Sequence, residues 1–324
     1  MLAAGPGQPR LYRLPGVVAA APAGAATARQ VLLTAAQNVA RNTPPAAGRY
    51  WVSAGQVGNY IRVGPPGDPY VILEKTLRED WVARSPARES GIYARALSVG
   101  FASAADRAAW QRDGSPSRWD YGQDLTFADP DGLSSGGTEK ITTARGRLMN
   151  LSGGTGGMDP TKGQPVSQAR LKKILLAGYT RADSGGQSPA SWIFEMAPRL
   201  FELPTTAAVR AALYHLLASL PGVTSLGMVR DAGGQEGTAV ALSSRVTRCG
   251  GEHKLGPGHP LRLFPDCVVQ QRIVIDPQTG QPLAQELRYL ELPVGQTWSA
   301  PGGLFSYELF SPGRWTSAKL PFGG

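Results

Sequence analysis

Cys249, His253, His259 and Cys267 bring both cysteines of the chain and two of its three histidines into one short stretch. Thiolates and imidazoles are zinc ligands, and four of them can close a tetrahedral site. The spacing here, C-x3-H-x5-H-x7-C, is not one that zinc sites normally use. No metal site is therefore expected. In an oxidising envelope Cys249 and Cys267, 18 residues apart, would instead pair. Closing that loop is worth about 3 kcal/mol through the unfolded chain. The disulfide is the expectation adopted here, with two free thiols or a metal site as the alternatives.

Other chemistry-bearing residues form no catalytic pattern. Ser152-Gly-Gly-Thr-Gly-Gly-Met-Asp-Pro-Thr-Lys-Gly has the glycine content of a phosphate loop. It lacks the Gly-Lys-Ser/Thr ending, and Pro160 interrupts its backbone. It reads as a flexible loop. A hydrolase triad needs Ser, His and an acid, but His215 lies within an apolar helical stretch and is expected to pack there, half-buried. Glu79-Asp80 ends a strand, and Asp129 and Asp131 lie in a loop, where solvated or turn-forming roles are usual. The expectation is a protein that is not an enzyme and needs no cofactor.

The composition agrees with that reading. Charged residues make up 18% of the 324 positions, while glycine and proline are abundant. This suits a loop-rich sheet protein or an exported envelope protein. The formal charge is +9, yet no four basic residues are consecutive. Arg170, Lys172 and Lys173 form the one tight group and read as the solvated face of a helix, so no nucleic-acid partner is expected. No apolar run is long enough to span a membrane. Residues 1–26 are rich in Ala, Gly and Pro and read as a flexible leader, or as what remains downstream of a removed signal or anchor.

From residue 27 the pattern predicts one α+β domain. Val31, Leu32, Ala35, Ala36 and Val39 stripe a helix capped by Thr27. A β meander follows, with Trp51 facing away from Tyr50 and Val52. In the strand from Tyr70, alternation puts Ile72, Glu74, Thr76, Arg78 and Asp80 on one side and Val71, Leu73, Lys75, Leu77 and Glu79 on the other. Trp81 is expected to pack at its end. Ser103 starts a short helix that Gly114 closes, and residues 111–166 form a long, mobile connection. Helices are predicted over 168–177, 190–203 and 205–220. The last of these runs into a hairpin turning at Asp231, and a second hairpin turns at Asp276-Pro-Gln-Thr-Gly. Two helix-then-meander units raise the possibility of an internal duplication.

The pieces ARQVLLTAAQNVA, GRYWV, ADRAAWQRDGSPSRW, AAVRAALYHLLASLPGV, VRDAGGQEGTAVAL and IVIDPQTGQPLAQE resemble a largely uncharacterised family of actinobacterial proteins. The resemblance runs from about Thr27 to the end. It implies an exported domain, extracytoplasmic and membrane-anchored through a helix that this chain lacks. It also implies genes beside those of extracytoplasmic-function sigma factors. The layout is in turn similar to the LolA-like half-barrel of lipoprotein carriers and of the sensor RseB, in which a curved antiparallel sheet wraps apolar ligands under helices. By that analogy Trp51, Tyr60, Ile72 and Leu77 would line a ligand site beneath Leu213 and Leu217. The remaining aromatics of the first half, Tyr70, Trp81, Tyr93, Trp110 and Trp119, are expected as packing. The expected function is extracytoplasmic binding of a lipid or lipoprotein. The alternative is an envelope sensor or regulator of a sigma-factor system that acts through a protein partner.

Overall fold

The fold was obtained as a computed structural model. It describes residues 10–15, 17, 24–41, 47–85, 87–117, 119, 138–142, 167–179, 187–249, 264–296, 298 and 300–320. Among them are five α-helices and an open antiparallel sheet of 11 strands. In chain order these are β1 (Leu11–Arg13), α1 (Ala28–Arg41), β2 (Tyr50–Val63), β3 (Tyr70–Ala83), β4 (Gly91–Phe101) and α2 (Ala104–Arg112). There follow β5 (Thr138–Thr142), α3 (Gln168–Tyr179), α4 (Pro189–Met196), α5 (Ala207–Ala218), β6 (Val223–Arg230) and β7 (Glu236–Cys249). The last four strands are β8 (Phe264–Ile275), β9 (Pro282–Pro293), β10 (Leu304–Phe310) and β11 (Arg314–Thr316). No helix among the described residues is long and apolar enough to cross a membrane.

The helix starts follow local chemistry. Thr27 and Gln30 close a capping box, with Thr27 N donating to Gln30 Oε1 at 2.8 Å and Gln30 N to Thr27 Oγ1 at 3.2 Å. Ser103, Ser188 and Thr206 accept the first free N–H groups of α2, α4 and α5. The helix expected over 190–203 stops at Met196. Pro198 has no N–H for a further helical bond, and the chain turns through a 3-10 segment at Pro198–Leu200.

The sheet order is β5-β4-β3-β2-β10-β9-β8-β7-β6, with β11 beside β2 and β1 beside β9. Each four-strand meander, β2 to β5 and β6 to β9, runs in the same sense across the sheet, with β10 between them. A tandem duplication would leave this order. The leader is not wholly unattached, because Leu11–Arg13 pair with β9 and Leu14 is buried beside Tyr289.

The register assigns the faces. Trp51 pairs with Val82, Ser53 with Asp80, Gly55 with Arg78 and Ile61 with Ile72, so all eight share one face. Helices α1, α3, α4 and α5 cover one end of that face, where Trp51 and Val82 join Leu32, Leu171, Phe194, Leu213, Leu217, Val240 and Ile273 in the main core. Helix α2 covers the other end, where Ile61, Tyr70, Ile72, Val99 and Trp110 form a second core. The opposite face carries smaller clusters, among them Tyr50, Val52, Trp81 and Ala83. Trp81 packs near the end of β3 as expected, its ring edge-on to Tyr50 at 6.0 Å.

Candidate functional site

Between the two cores, the helix-covered face turns polar. Four adjacent strands contribute to one row: Val57 and Asn59 on β2, Ser306 and Glu308 on β10, Gln285 and Leu287 on β9, and Gln271 on β8. The register joins them directly, with Asn59 opposite Ser306, Val57 opposite Glu308, Glu308 opposite Gln285, and Leu287 opposite Gln271. Trp192, Glu195, Met196 and Arg199 face this row at the three-to-four spacing of one side of α4 and the turn after it. Sheet and helix enclose a cavity of about 300 Å³.

The cavity wall is organised around Glu195, which is half-buried. Its Oε2 accepts from Gln187 Nε2 at 2.7 Å and from Gln271 Nε2 at 3.0 Å. Its backbone carbonyl accepts from Gln285 Nε2 at 2.9 Å. Ser191 Oγ donates to Gln271 Oε1 at 3.3 Å.

A charged cluster extends from this wall toward the main core. Arg199 Nη1 lies 2.7 Å from Glu308 Oε1, 2.6 Å from Glu308 Oε2 and 3.5 Å from Glu202 Oε2. The Oε2 contact is an ion pair without hydrogen-bond geometry, and that oxygen has no other partner. Arg78 reaches Asp80 at 3.1 Å and Glu308 at 3.5 Å. Three buried carboxyl groups thus share two partly buried guanidinium groups. Burial, then Glu308 and Asp80, holds the Glu202 carboxyl well above the usual carboxylate range, against the pull of Arg199 and Arg78. Burial raises Asp80 as well, with Arg78 opposing. A proton on Glu202 leaves two carboxylates against two arginines, a neutral cluster. Trp51 ties it to the core, its Nε1 donating to the Glu202 carbonyl at 2.7 Å.

The six residues expected to line a ligand site do not meet. Trp51, Leu213 and Leu217 are packed in the main core, and Leu213 and Leu217 are fully buried. Ile72 belongs to the second core under α2. Tyr60 and Leu77 are half-buried on the opposite face, where Leu77 pairs with Gln56. Tyr60 is raised by its own burial and by neighbouring Tyr307. None of the six lines the cavity. Alternation along β3 placed Arg78 and Asp80 with Ile72, and opposite charges two residues apart on one strand face were the available signal for the cluster. No local pattern marked Glu195, Gln271 or Gln285, which converge only through the sheet register.

His215 is exposed in the last turn of α5 rather than half-buried, because its neighbours Leu213, Tyr214, Leu216 and Leu217 take the packed positions. Arg170, Lys172 and Lys173 form the solvated face of α3. Tyr70, Trp110 and Trp119 are packed, with Trp119 Nε1 donating to Tyr70 Oη at 2.8 Å. Cys267 is buried on β8, and its neighbour β7 carries Cys249, whose side chain lies outside the described residues. Also outside them are His253, His259, Asp129, Asp131 and the glycine-rich run from Ser152. One motif escaped the expectation about hydrolases. Gly132, Ser134 and Gly136 have G-x-S-x-G spacing, but a nucleophile elbow needs a strand before it and a helix after it. Here a strand, β5, follows at Thr138. Among the described residues no group of three His, Cys, Asp or Glu side chains is arranged to hold a metal.

No family model, curated protein or solved structure matches this chain.

Proposed function

We propose that the chain is a non-enzymatic extracytoplasmic binding protein of LolA-like layout, which takes its ligand between the sheet and α4. The cavity carries this reading, because it is bounded by two rigid elements and already formed, as small-molecule sites usually are. The carboxyls of the cluster, Asp80, Glu202 and Glu308, are engaged with Arg78 and Arg199. That arrangement supports positioning rather than turnover. At about 300 Å³ the cavity is at the small end of ligand sites. The size favours a small effector over the several acyl chains of a lipoprotein, and so favours the sensor of a sigma-factor system over the carrier. Membrane anchorage and a protein partner belong to the same proposal.

Native mass spectrometry of protein expressed in exported form, beside a denatured and solvent-extracted sample, tests it. The expected result is added mass on the native protein that leaves on extraction. A bare polypeptide mass that also takes up no added small molecule would overturn the binding reading.

A further inference from the structure

The carboxamide nitrogens of the cavity wall are each turned toward an acceptor of the protein. Gln271 Nε2 is bound to the Glu195 carboxylate and Gln285 Nε2 to the Glu195 carbonyl. The Asn59 side chain is hydrogen-bonded to Glu74. Each partner is an acceptor, which fixes the amide nitrogens on these bonds and leaves the amide oxygens of Asn59 and Gln285 able to accept. Arg199, the cation of the wall, is occupied by Glu308 and Glu202. Acceptor capacity remains on Asn59, Gln285 and Glu195. In addition Glu308, only 4% exposed, has an Oε2 without a hydrogen bond.

Charge points the same way. Glu195 has carboxamide partners and no cation, so its negative charge is solvated by dipoles alone. Trp192 and Met196 supply apolar and polarisable wall on the same side of the helix. Within a protein of net charge +9 this is a locally negative pocket, lined by Glu195, Glu286 and Glu308 against Arg199.

From the excess of carboxylates in the lining and the uncompensated Glu195, we infer that the cavity takes a small organic cation, an ammonium group on a short apolar body. The ammonium brings three donors and no acceptor, the complement of this lining. The body lies against Trp192, Met196 and Leu287. A carboxylate or phosphate ligand would face Glu195 and Glu308. The inference rests on the binding reading above, but its test separates the two.

Hexylammonium, hexanol and hexanoate are titrated into the full chain by calorimetry or ligand-observed NMR at neutral pH and low salt. The expected ranking is hexylammonium at least about ten-fold tighter than hexanol, with hexanoate weakest; a charge-assisted hydrogen bond is worth that much. Glu195→Gln keeps the acceptor for Gln187 and Gln271 and should bring hexylammonium down to the level of hexanol, leaving hexanol unchanged. Equal or tighter binding of hexanoate overturns the inference, as does an ammonium preference that survives Glu195→Gln. In both cases the binding reading stands. If none of the three binds at millimolar concentration, the cation inference falls, and a bare native mass then removes the binding reading as well. Should the variant not fold, the ranking on the unaltered chain decides alone.

Discussion

Glu202→Gln replaces a fully buried acid by the neutral side chain closest in shape to its protonated form. In the folded protein the carboxyl is held well above its usual range by burial and by Glu308 and Asp80. The unfolded chain titrates it near 4.3. Between those values the folded state holds a proton that the unfolded state has lost. The stability that this protonation contributes is therefore complete below about pH 4.3 and is lost as pH rises toward the folded value. Each pH unit in that window costs the unaltered protein about 1.4 kcal/mol through this one group. Asp80, shifted in the same direction, adds its own slope in both proteins. Glutamine does not titrate, so the variant should gain about 1.4 kcal/mol on the unaltered protein for every unit above pH 4.3 until Glu202 ionises in the fold. Urea unfolding at pH 4, 5, 6 and 7 measures the difference directly. Arg199→Met supplies the contrast, because it strands Glu308 beside Glu202 and should cost about 3–5 kcal/mol at neutral pH. The reasoning fails if Glu202→Gln is destabilised at every pH and loses further ground as pH rises. That result would mean an ionised Glu202 is what the two arginines hold.

Two further outcomes follow from the packing and the cysteines. Gly280 closes the β8–β9 turn at φ +71°, and a Cβ there would drive into the carbonyl of Ala35 on α1; Gly280→Ala should cost more than about 2 kcal/mol, with a measured loss under 0.5 kcal/mol counting against a tightly docked turn. Thiol titration in urea without reductant should find no free sulfhydryl, and two reactive groups would dismiss the Cys249–Cys267 pairing.

The elements were largely legible because their signals are local. Thr27 and Ser103 announced helix starts through their own side chains, and Asp276-Pro-Gln-Thr-Gly announced a turn. Strand β3 was readable face by face, since alternation has a period of two wherever the partner lies. The leader's attachment was not legible, because Leu11–Arg13 are strand only by virtue of β9, almost the whole chain away. The dispersal of the six expected site residues has a related reason. Large apolar residues at strand and helix positions signal burial, and burial is what Trp51, Ile72, Leu213 and Leu217 have. Polar groups that converge across β2, β10, β9 and β8 leave no trace in any one strand. Their neighbours are set by register, a property of the assembled sheet.

The arrangement has a physical logic that bears on what the cavity can do. Two apolar cores at opposite ends of one face, under α1, α3, α4 and α5 and under α2, fix the sheet on either side of its polar middle. Residues there need not contribute to folding by burial, so charged and amide side chains are retained without a collapsed core above them. The buried arginine–carboxyl cluster adjoins the main core and lends its wall a defined geometry: Glu308 is shared by Arg199 and Arg78, and Glu202 is anchored through its backbone to Trp51. A buried ion cluster is a poor source of net stability. Its cost is consistent with a role in holding Arg199, and hence the open side of α4, at one distance from the sheet. A cavity whose size is set by charge pairs rather than by interdigitated apolar side chains keeps its volume when empty, which is what a selective small-ligand site requires.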